Sequence, residues 1–262
     1  MVVFTADSTT LARWIRDEIE LAEPLSEGRR GQAARRVQEW LTLRGFGVAI
    51  DSDFGPVTKR AVQRFQAANG LPATGVVNRK TFDRLVQPMK EVLAKRLPAN
   101  GSGTIEDAVV VYARAHLDRH PIEVGGQNRG PWVRLYMKGH DGPEWAWCAG
   151  FVTFVLRQAA ESLDVPMPID GSFSCDSLAA QGKSSGRFVS EHVATASLPP
   201  PGSIFLVRRT PTDWTHTGLV TDAEPVAFDT IEGNTNDDGD REGFEVCTRS
   251  RGYASKDFIT LS

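Results

Sequence analysis

The sequence predicts an α+β protein, with a small three-helix bundle followed by a domain in which helices pack on an antiparallel sheet. Apolar residues recur at helical spacing as far as about residue 163. From residue 203 onwards, short alternating runs separated by turn residues indicate strands. Because the helices come first and the strands follow as a group, the sheet is expected to be antiparallel.

The composition is typical of a globular protein and limits the possible partners. Of 262 residues, 40% are apolar and 24% charged, and the net charge of −3 does not favour nucleic acid as a partner. No stretch approaches the roughly 20 apolar residues of a membrane span, so membrane insertion is not expected. The first residues lack the basic start and apolar run of a secretory signal. We expect a monomer. Without such a signal, the protein is expected to be made in the cytoplasm and to leave it through a membrane pore or by dedicated export.

The first elements are all helical. Residues 1–28 form an N-terminal segment with one amphipathic helix over 9–22. Residues 29–88 then contain three helical patterns. The second of these has Pro56 in its first turn and Gly70 after its end, as helix boundaries require. About 57 residues with this many apolar positions can form a core of their own.

The run DSDFGPVTKRAVQRFQAANGLPATGVVNRKTFDRL in this region resembles the peptidoglycan-binding domain 1 family. The resemblance covers nearly all of residues 31–87 and implies a three-helix bundle with peptidoglycan as its partner. Most matching residues are expected to hold the bundle together. The wall-contacting candidates are Asp51 and Asp53 in the loop, and the surface around Gln66.

Residues 89–103 are predicted to be a linker, and residues 104–262 a second domain. This domain opens with the helix IEDAVVVYARAHLD, capped by Thr104. A glycine-rich loop and a strongly apolar helix, AWCAGFVTFVLRQAAESL, come next. The strands are SIFLVRR, TGLVTDA, AFDTIEG, FEVCTRS and DFITL.

Cys148 is the candidate nucleophile because it starts the apolar helix. A helix N-terminus lowers a thiol pKa, and its N–H groups can also bind an oxyanion. His216 begins one strand, and Glu232 and Asn234 end the next. A hairpin would place these strand ends side by side, so that an acceptor could orient an imidazole towards the thiol.

The pieces EWAWCAGFVTFVL, PGSIFLV, HTGLV and IEGNTN, in this order, resemble the CHAP amidase/peptidase family, which has a papain-like fold. The resemblance spans about 105–262. It implies that Cys148 is the nucleophile and His216 the base, with Glu232 or Asn234 as the orienting residue, and that no cofactor or metal is needed. Trp145, Trp147 and Asn128 are candidates for the substrate cleft, although one tryptophan is expected to pack in the core.

Other interpretations of these residues stay open. His116 and His120 are one helical turn apart, a spacing that can bind zinc in an amidase or carboxypeptidase. The chain could also be a wall-binding protein with a degenerate papain-like domain. Residues 234–245 match the spacing of a calcium loop, without its usual first residue. Cys175 and Cys247 could form a disulfide, although three cysteines argue against a disulfide framework.

Overall fold

The computed structural model describes residues 11–95, 97, 103–236 and 243–262. Among these residues the first part of the chain is helical and the last part forms a sheet, so the predicted α+β class is confirmed. No described helix is long and apolar enough to cross a membrane. The helices are α1 Arg13–Ile19, α2 Gln32–Leu43, α3 Pro56–Ala68, α4 Arg79–Leu85, α5 Gln87–Ala94, α6 Ile105–Leu117, α7 Pro131–Tyr136, α8 Cys148–Leu163, α9 Cys175–Ser184 and α10 Glu191–Ala196.

The described strands form one antiparallel sheet in the order β1-β6-β2-β3-β4-β5. Helices α6 and α8 pack together, and α8 lies against the neighbouring strands β3 and β4. The face of the sheet under α8 therefore carries the residues that can reach the start of that helix. The strands are β1 Phe188–Val189, β2 Ile204–Thr210, β3 Asp213–Ala223, β4 Phe228–Thr235, β5 Glu245–Arg251 and β6 Lys256–Ile259.

Gly233 allows β4 to lie close against helix α8. A Cβ atom at this position would come within 2.8 Å of Cβ of Phe151 and of the Trp147 ring. A larger residue would push the strand away from the helix. The glycine thus sets the distance between Cys148, at the start of α8, and the residues at the end of β4.

In the small helical region, two buried glutamines each hold a loop. The Gln38 side chain, on α2, donates to Oδ1 of Asp51 at 2.7 Å and accepts from the backbone N–H groups of residues 51 and 52. The Gln66 side chain, on α3, donates to the carbonyl of Val76 at 2.9 Å and accepts from the N–H of Gly75. In both α2 and α3, therefore, a buried glutamine side chain bonds to the backbone of the loop that follows the helix.

The segment predicted as a linker begins inside helix α5. Its residues Met89, Val92 and Leu93 are buried, and α5 contacts α6. Residues 96 and 98–102 of the predicted linker lie outside the described residues. Up to Ala94, then, this part of the chain is packed structure and has no linker character.

Arg134, on α7, lies in a buried ion-pair cluster that joins three distant segments. Its guanidinium binds the Glu18 carboxylate of α1 through two bonds of 2.8 and 2.9 Å. It also donates to Glu39 of α2 at 2.6 Å and to Asp141 at 2.9 Å. The carboxylates raise the pKa of Arg134 further, although burial opposes them, so the guanidinium stays charged. This cluster fixes the N-terminal helix and the small helical region to the second domain.

Replacing Arg134 by Met should destabilise the whole chain. The methionine fills part of the space, but Glu18 and Glu39 are left buried without their cation, which costs about 3–5 kcal/mol. Chemical denaturation followed by circular dichroism measures this loss. Arg13→Met, which alters an exposed arginine on α1, should change stability by less than about 0.5 kcal/mol. A loss below about 1 kcal/mol for Arg134→Met would show that the cluster does not hold the segments together.

Candidate active site

Cys148 is the first residue of helix α8, as predicted, and 5% of its surface is exposed. The preceding residue, Trp147, makes no side-chain hydrogen bond to the helix, so the N-terminal N–H groups are not capped by it. The N–H of Ala149 bonds to the Cys148 sulfur and helps to lower its pKa. The start of α8 can therefore stabilise negative charge at this sulfur.

His216 of β3 lies beside this sulfur, with 7% of its surface exposed. Its Nε2 donates to Oε2 of Glu232 at 2.8 Å, which leaves Nδ1 for the Cys148 thiol, to which the ring also bonds. Burial alone would lower the pKa of His216. The hydrogen bonds to Cys148 and Glu232, together with their charges, nevertheless raise it to about 9.

The pKa of Cys148 moves in the opposite direction. A hydrogen bond with the Cys175 thiol lowers it most, burial opposes this, and the bond to His216 and the charge of that ring lower it further. The pKa of Cys148 ends well below that of an ordinary thiol. A thiolate beside an imidazolium is therefore the favoured charge state at neutral pH.

Glu232, on β4, is fully buried and is held as a carboxylate. Arg251 donates to both of its oxygens, at 2.6 Å to Oε2, and Thr230 donates to Oε1 at 2.6 Å. Burial would raise the pKa of Glu232, but the bonds to Arg251 and His216 lower it to about 2. The carboxylate thus fixes the orientation of the His216 ring and favours its charged form.

Asn234 follows two residues later at the end of β4 and is also buried, with a left-handed backbone φ of 55°. Of the two candidates for the orienting residue, Glu232 is the one whose carboxylate bonds to the His216 ring. The structure brings Cys148, His216 and Glu232 into one hydrogen-bonded series, with Asn234 beside it on the same strand.

The two candidate tryptophans have different surroundings. Trp147 is fully buried, stacks on Tyr136 with ring centroids 5.5 Å apart, and donates to Glu123 at 2.9 Å. It is therefore the tryptophan that packs in the core, and it has no surface for a sugar. Trp145 is partly exposed and stacks on His140. It remains a candidate for substrate contact.

Asn128 is buried and holds its own loop together. Its backbone N–H donates to the Glu123 carboxylate at 2.7 Å, and its side chain donates to the carbonyl of Pro143 at 3.0 Å. These bonds give Asn128 a structural role, because they tie the loop between α6 and α7 to the loop that precedes α8.

The candidates in the small helical region are also engaged in internal contacts. Asp51 accepts from Gln38 and from the N–H of Asp53, and these bonds lower its pKa. Asp53 pairs with Arg30 at 2.8 Å. Gln66 is buried inside its loop contacts, so this side chain cannot contact the wall directly. Asp51 and Asp53, which are at least partly exposed, stay predictions for contact with the wall.

His116 and His120 do not form the zinc-binding pair that their spacing allows, because each ring bonds to other side chains. His116 is fully buried, and its two ring nitrogens bond to Tyr136 and Gln158, each at 2.8 Å. Burial lowers its pKa to about 4. His120 lies beyond the end of α6 and bonds to Glu245 at 2.7 Å. Within the described ranges, no group of three or more His, Cys, Asp or Glu residues is placed to hold a metal ion.

The cysteines are arranged differently from the disulfide considered above. The sulfur of Cys175 lies 3.9 Å from the Cys148 sulfur, and Cys148, Cys175 and Cys247 are all free thiols. The pairing of Cys175 with Cys247 was therefore wrong. Half of the calcium loop considered above, residues 237–242, lies outside the described residues.

Sequence reasoning missed three groups at the site: Arg251, Thr230 and Cys175. Thr230 and Glu232 lie on the same strand two residues apart, so their side chains share a face, and this spacing could have revealed the contact. Arg251 comes from β5, and only the strand register brings it to Glu232. No local signal marks Cys175.

These contacts define a buried thiol–imidazole–carboxylate site on an α+β fold. Residues 30–85 match the family model described as a putative peptidoglycan binding domain. The chain is also similar to the zinc D-Ala-D-Ala carboxypeptidase of Streptomyces albus G, with 46% identity over 68 residues. That match covers 24% of this chain and 26% of the relative, so the chain spans about a quarter of the length of the protein it matches.

The thiolate at Cys148 should be detectable by alkylation. Its rate with iodoacetamide should rise less between about pH 6 and 8 than that of an ordinary thiol with a pKa of about 8.5, which reacts about tenfold faster per pH unit. Peptide mapping after timed alkylation measures the rate at each cysteine, and the chain unfolded in urea is the reference. A rate at Cys148 that rises with pH as in the unfolded chain would exclude the ion pair.

Replacing Gln66 by Ala should lower stability and leave wall affinity of the folded protein unchanged. The change removes the bonds to Val76 and Gly75, which should cost about 1–3 kcal/mol. Thermal unfolding and sedimentation with peptidoglycan give the two readouts. Gln63→Ala, on the same helix, should change stability by less than about 0.5 kcal/mol. A selective loss of wall affinity at full stability would restore Gln66 as a binding residue.

Proposed function

We propose that this chain is a peptidoglycan hydrolase that holds the bacterial wall with residues 30–85 and cleaves an amide bond with Cys148. The match to a peptidoglycan-binding domain supports the target. The observation that carries the chemistry is the buried series in which Cys148 bonds to His216, and His216 to Glu232 at 2.8 Å. The CHAP-like motifs around these residues agree with a cysteine amidase or peptidase.

The reaction begins when the Cys148 thiolate attacks the carbonyl carbon of the amide. Negative charge develops on the carbonyl oxygen, and the N–H groups at the start of α8 are placed to stabilise it. His216 gives its proton to the leaving nitrogen as the C–N bond breaks, and the acyl group remains on the sulfur. His216 then takes a proton from water, which attacks the thioester and releases the acid and the thiolate.

Glu232 acts through His216. Its carboxylate accepts from Nε2 and so keeps Nδ1 pointed at the sulfur throughout the cycle. Arg251 and Thr230 hold the carboxylate in place and keep it ionised. Glu232 is thus a positioning residue whose own proton state does not change.

Two kinds of amide bond in peptidoglycan fit this mechanism. An amide between muramic acid and L-alanine, or one within the stem peptide or crossbridge, would use the same three residues in the same roles. Trp145, partly exposed near the start of α8, is the side chain proposed to contact the substrate. Mass spectrometry of digested peptidoglycan identifies the bond.

A zinc-dependent carboxypeptidase is a second candidate because the similar protein from Streptomyces albus G bears that name. The similarity covers about a quarter of each chain. The buried contacts of His116 argue against the particular zinc ligands that the sequence offered. A wall-binding protein without activity is a third candidate, since the family match by itself concerns binding.

Cys148→Ala and His216→Ala should each lower wall lysis by at least about 10³-fold, because the nucleophile or its proton carrier is lost. Lysis by the unmodified chain should also fall as the pH rises through about 9, where the His216 imidazolium is lost. Turbidity of a peptidoglycan suspension measures both effects. Cys247→Ser, which changes a cysteine outside the series, is the matched control and should keep full activity.

The candidates differ in their response to a chelator. Lysis that survives EDTA and disappears in Cys148→Ala agrees with the cysteine mechanism. Lysis that is lost in EDTA and kept in Cys148→Ala would overturn it in favour of a metal enzyme. Wall binding with no lysis and no selective alkylation at Cys148 would instead favour the wall-binding protein.

A further inference from the structure

Cys175 makes and breaks no bond in the hydrolysis proposed above, but its thiol contacts the sulfur of the nucleophile at 3.9 Å and lowers the pKa of Cys148. Only 8% of the Cys175 surface is exposed, against 5% for Cys148, and neither residue is in a disulfide. A disulfide needs the sulfurs at about 2.05 Å, so these two sulfurs, which are already in contact, have only a short distance to move.

The position of Cys175 is set by contacts on both sides. It is the first residue of α9, whose N-cap is Ser174. The next residue, Asp176, accepts the backbone N–H of Trp214 on β3 at 2.6 Å, which ties the start of α9 to the strand of His216. The pairing of the two cysteines is thus a feature of the packed structure.

Further hydrogen bonds join the segment just before α9 to helix α8. The Thr153 hydroxyl, one turn and a half after Cys148, donates to the carbonyl of Ser172 at 2.8 Å and accepts from its N–H at 2.9 Å. Gly171 allows this contact, since a Cβ there would lie 2.4 Å from the Thr153 side chain. The starts of α8 and α9 are therefore held facing each other.

We propose that Cys148 and Cys175 form a reversible disulfide when the protein meets a peroxide. The Cys148 thiolate attacks one oxygen of the peroxide, the O–O bond breaks, and a sulfenic acid and hydroxide result. The Cys175 thiol then attacks the sulfenic sulfur, an S–S bond forms, and the oxygen leaves as water. Together the two thiols lose two protons and two electrons, and hydrogen peroxide becomes two molecules of water.

Forming the bond requires the two sulfurs to approach each other by roughly 1.9 Å. The disulfide removes the thiolate from His216, so hydrolysis stops until a thiol reductant restores it. It also protects Cys148, because a sulfenic acid without a nearby thiol is oxidised further to forms that reductants do not reverse. The loss of hydrolysis rests on the proposed function, whereas formation of the disulfide does not.

The experiment treats the full chain with hydrogen peroxide, blocks remaining thiols with iodoacetamide, and maps the peptides by mass spectrometry. We expect a linked pair of peptides containing Cys148 and Cys175, a loss of two hydrogens in the intact mass, and recovery of most lysis with dithiothreitol. Cys175→Ser, which keeps a hydroxyl donor at this position, should recover less than about a tenth of its lysis after the same treatment.

Cys247→Ser keeps both cysteines of the pair and should behave like the unmodified chain. Cys175→Ala gives a second variant without the thiol, should the serine affect folding. The proposal is overturned if Cys148 and Cys175 both remain as thiols, or if Cys148 reaches the sulfinic acid without a linked peptide. A linked peptide in a chain that has no lysis before oxidation would instead contradict the proposed function and leave the disulfide standing.

Discussion

The buried guanidinium of Arg134 is the interaction on which the arrangement of the chain depends. It is shared by the carboxylates of Glu18, Glu39 and Asp141. Taking one cation and several anions out of water is costly, and this cost is offset only when the geometry satisfies the donors. The same helix, α7, carries Tyr136, which stacks on Trp147 directly before the nucleophile. One short helix therefore links the N-terminal helix and the wall-binding region to the position of Cys148.

Much of the fold and part of the site could be predicted because their signals are local. Helical spacing, the Pro56 and Gly70 boundaries and the later alternating runs follow from the geometry of single elements. The position of Cys148 at a helix start, and of His216 and Glu232 on neighbouring strands, needed only the order of the elements. The sequence therefore indicates the thiol and the imidazole, but it leaves Glu232 and Asn234 as alternatives for the orienting residue, and only the bond from His216 to Glu232 distinguishes them.

The rest depends on contacts between residues far apart in the chain. Glu18 and Glu39 look like ordinary charges on helix surfaces, and only packing makes them partners of Arg134. The family match predicts a wall-contacting surface around Gln66, whereas the side chain is buried because it bonds to the loop that follows α3. The meeting of Cys175 with Cys148 requires the placement of α9 against both α8 and β3, which spacing along the chain does not encode.

The cluster around Arg134 also determines how far the proposed enzyme can reach. A wall-binding domain on a flexible tether would let the nucleophile sweep a wide area from one point of attachment. Here Glu39, on α2, binds Arg134 and so fixes the region of residues 30–85 to the part of the chain that carries Cys148. While the chain is bound at one place, Cys148 can then reach only a small area of the peptidoglycan. The enzyme would have to dissociate and rebind to reach a new bond. The residence time on the wall would therefore limit the rate at which the wall is degraded.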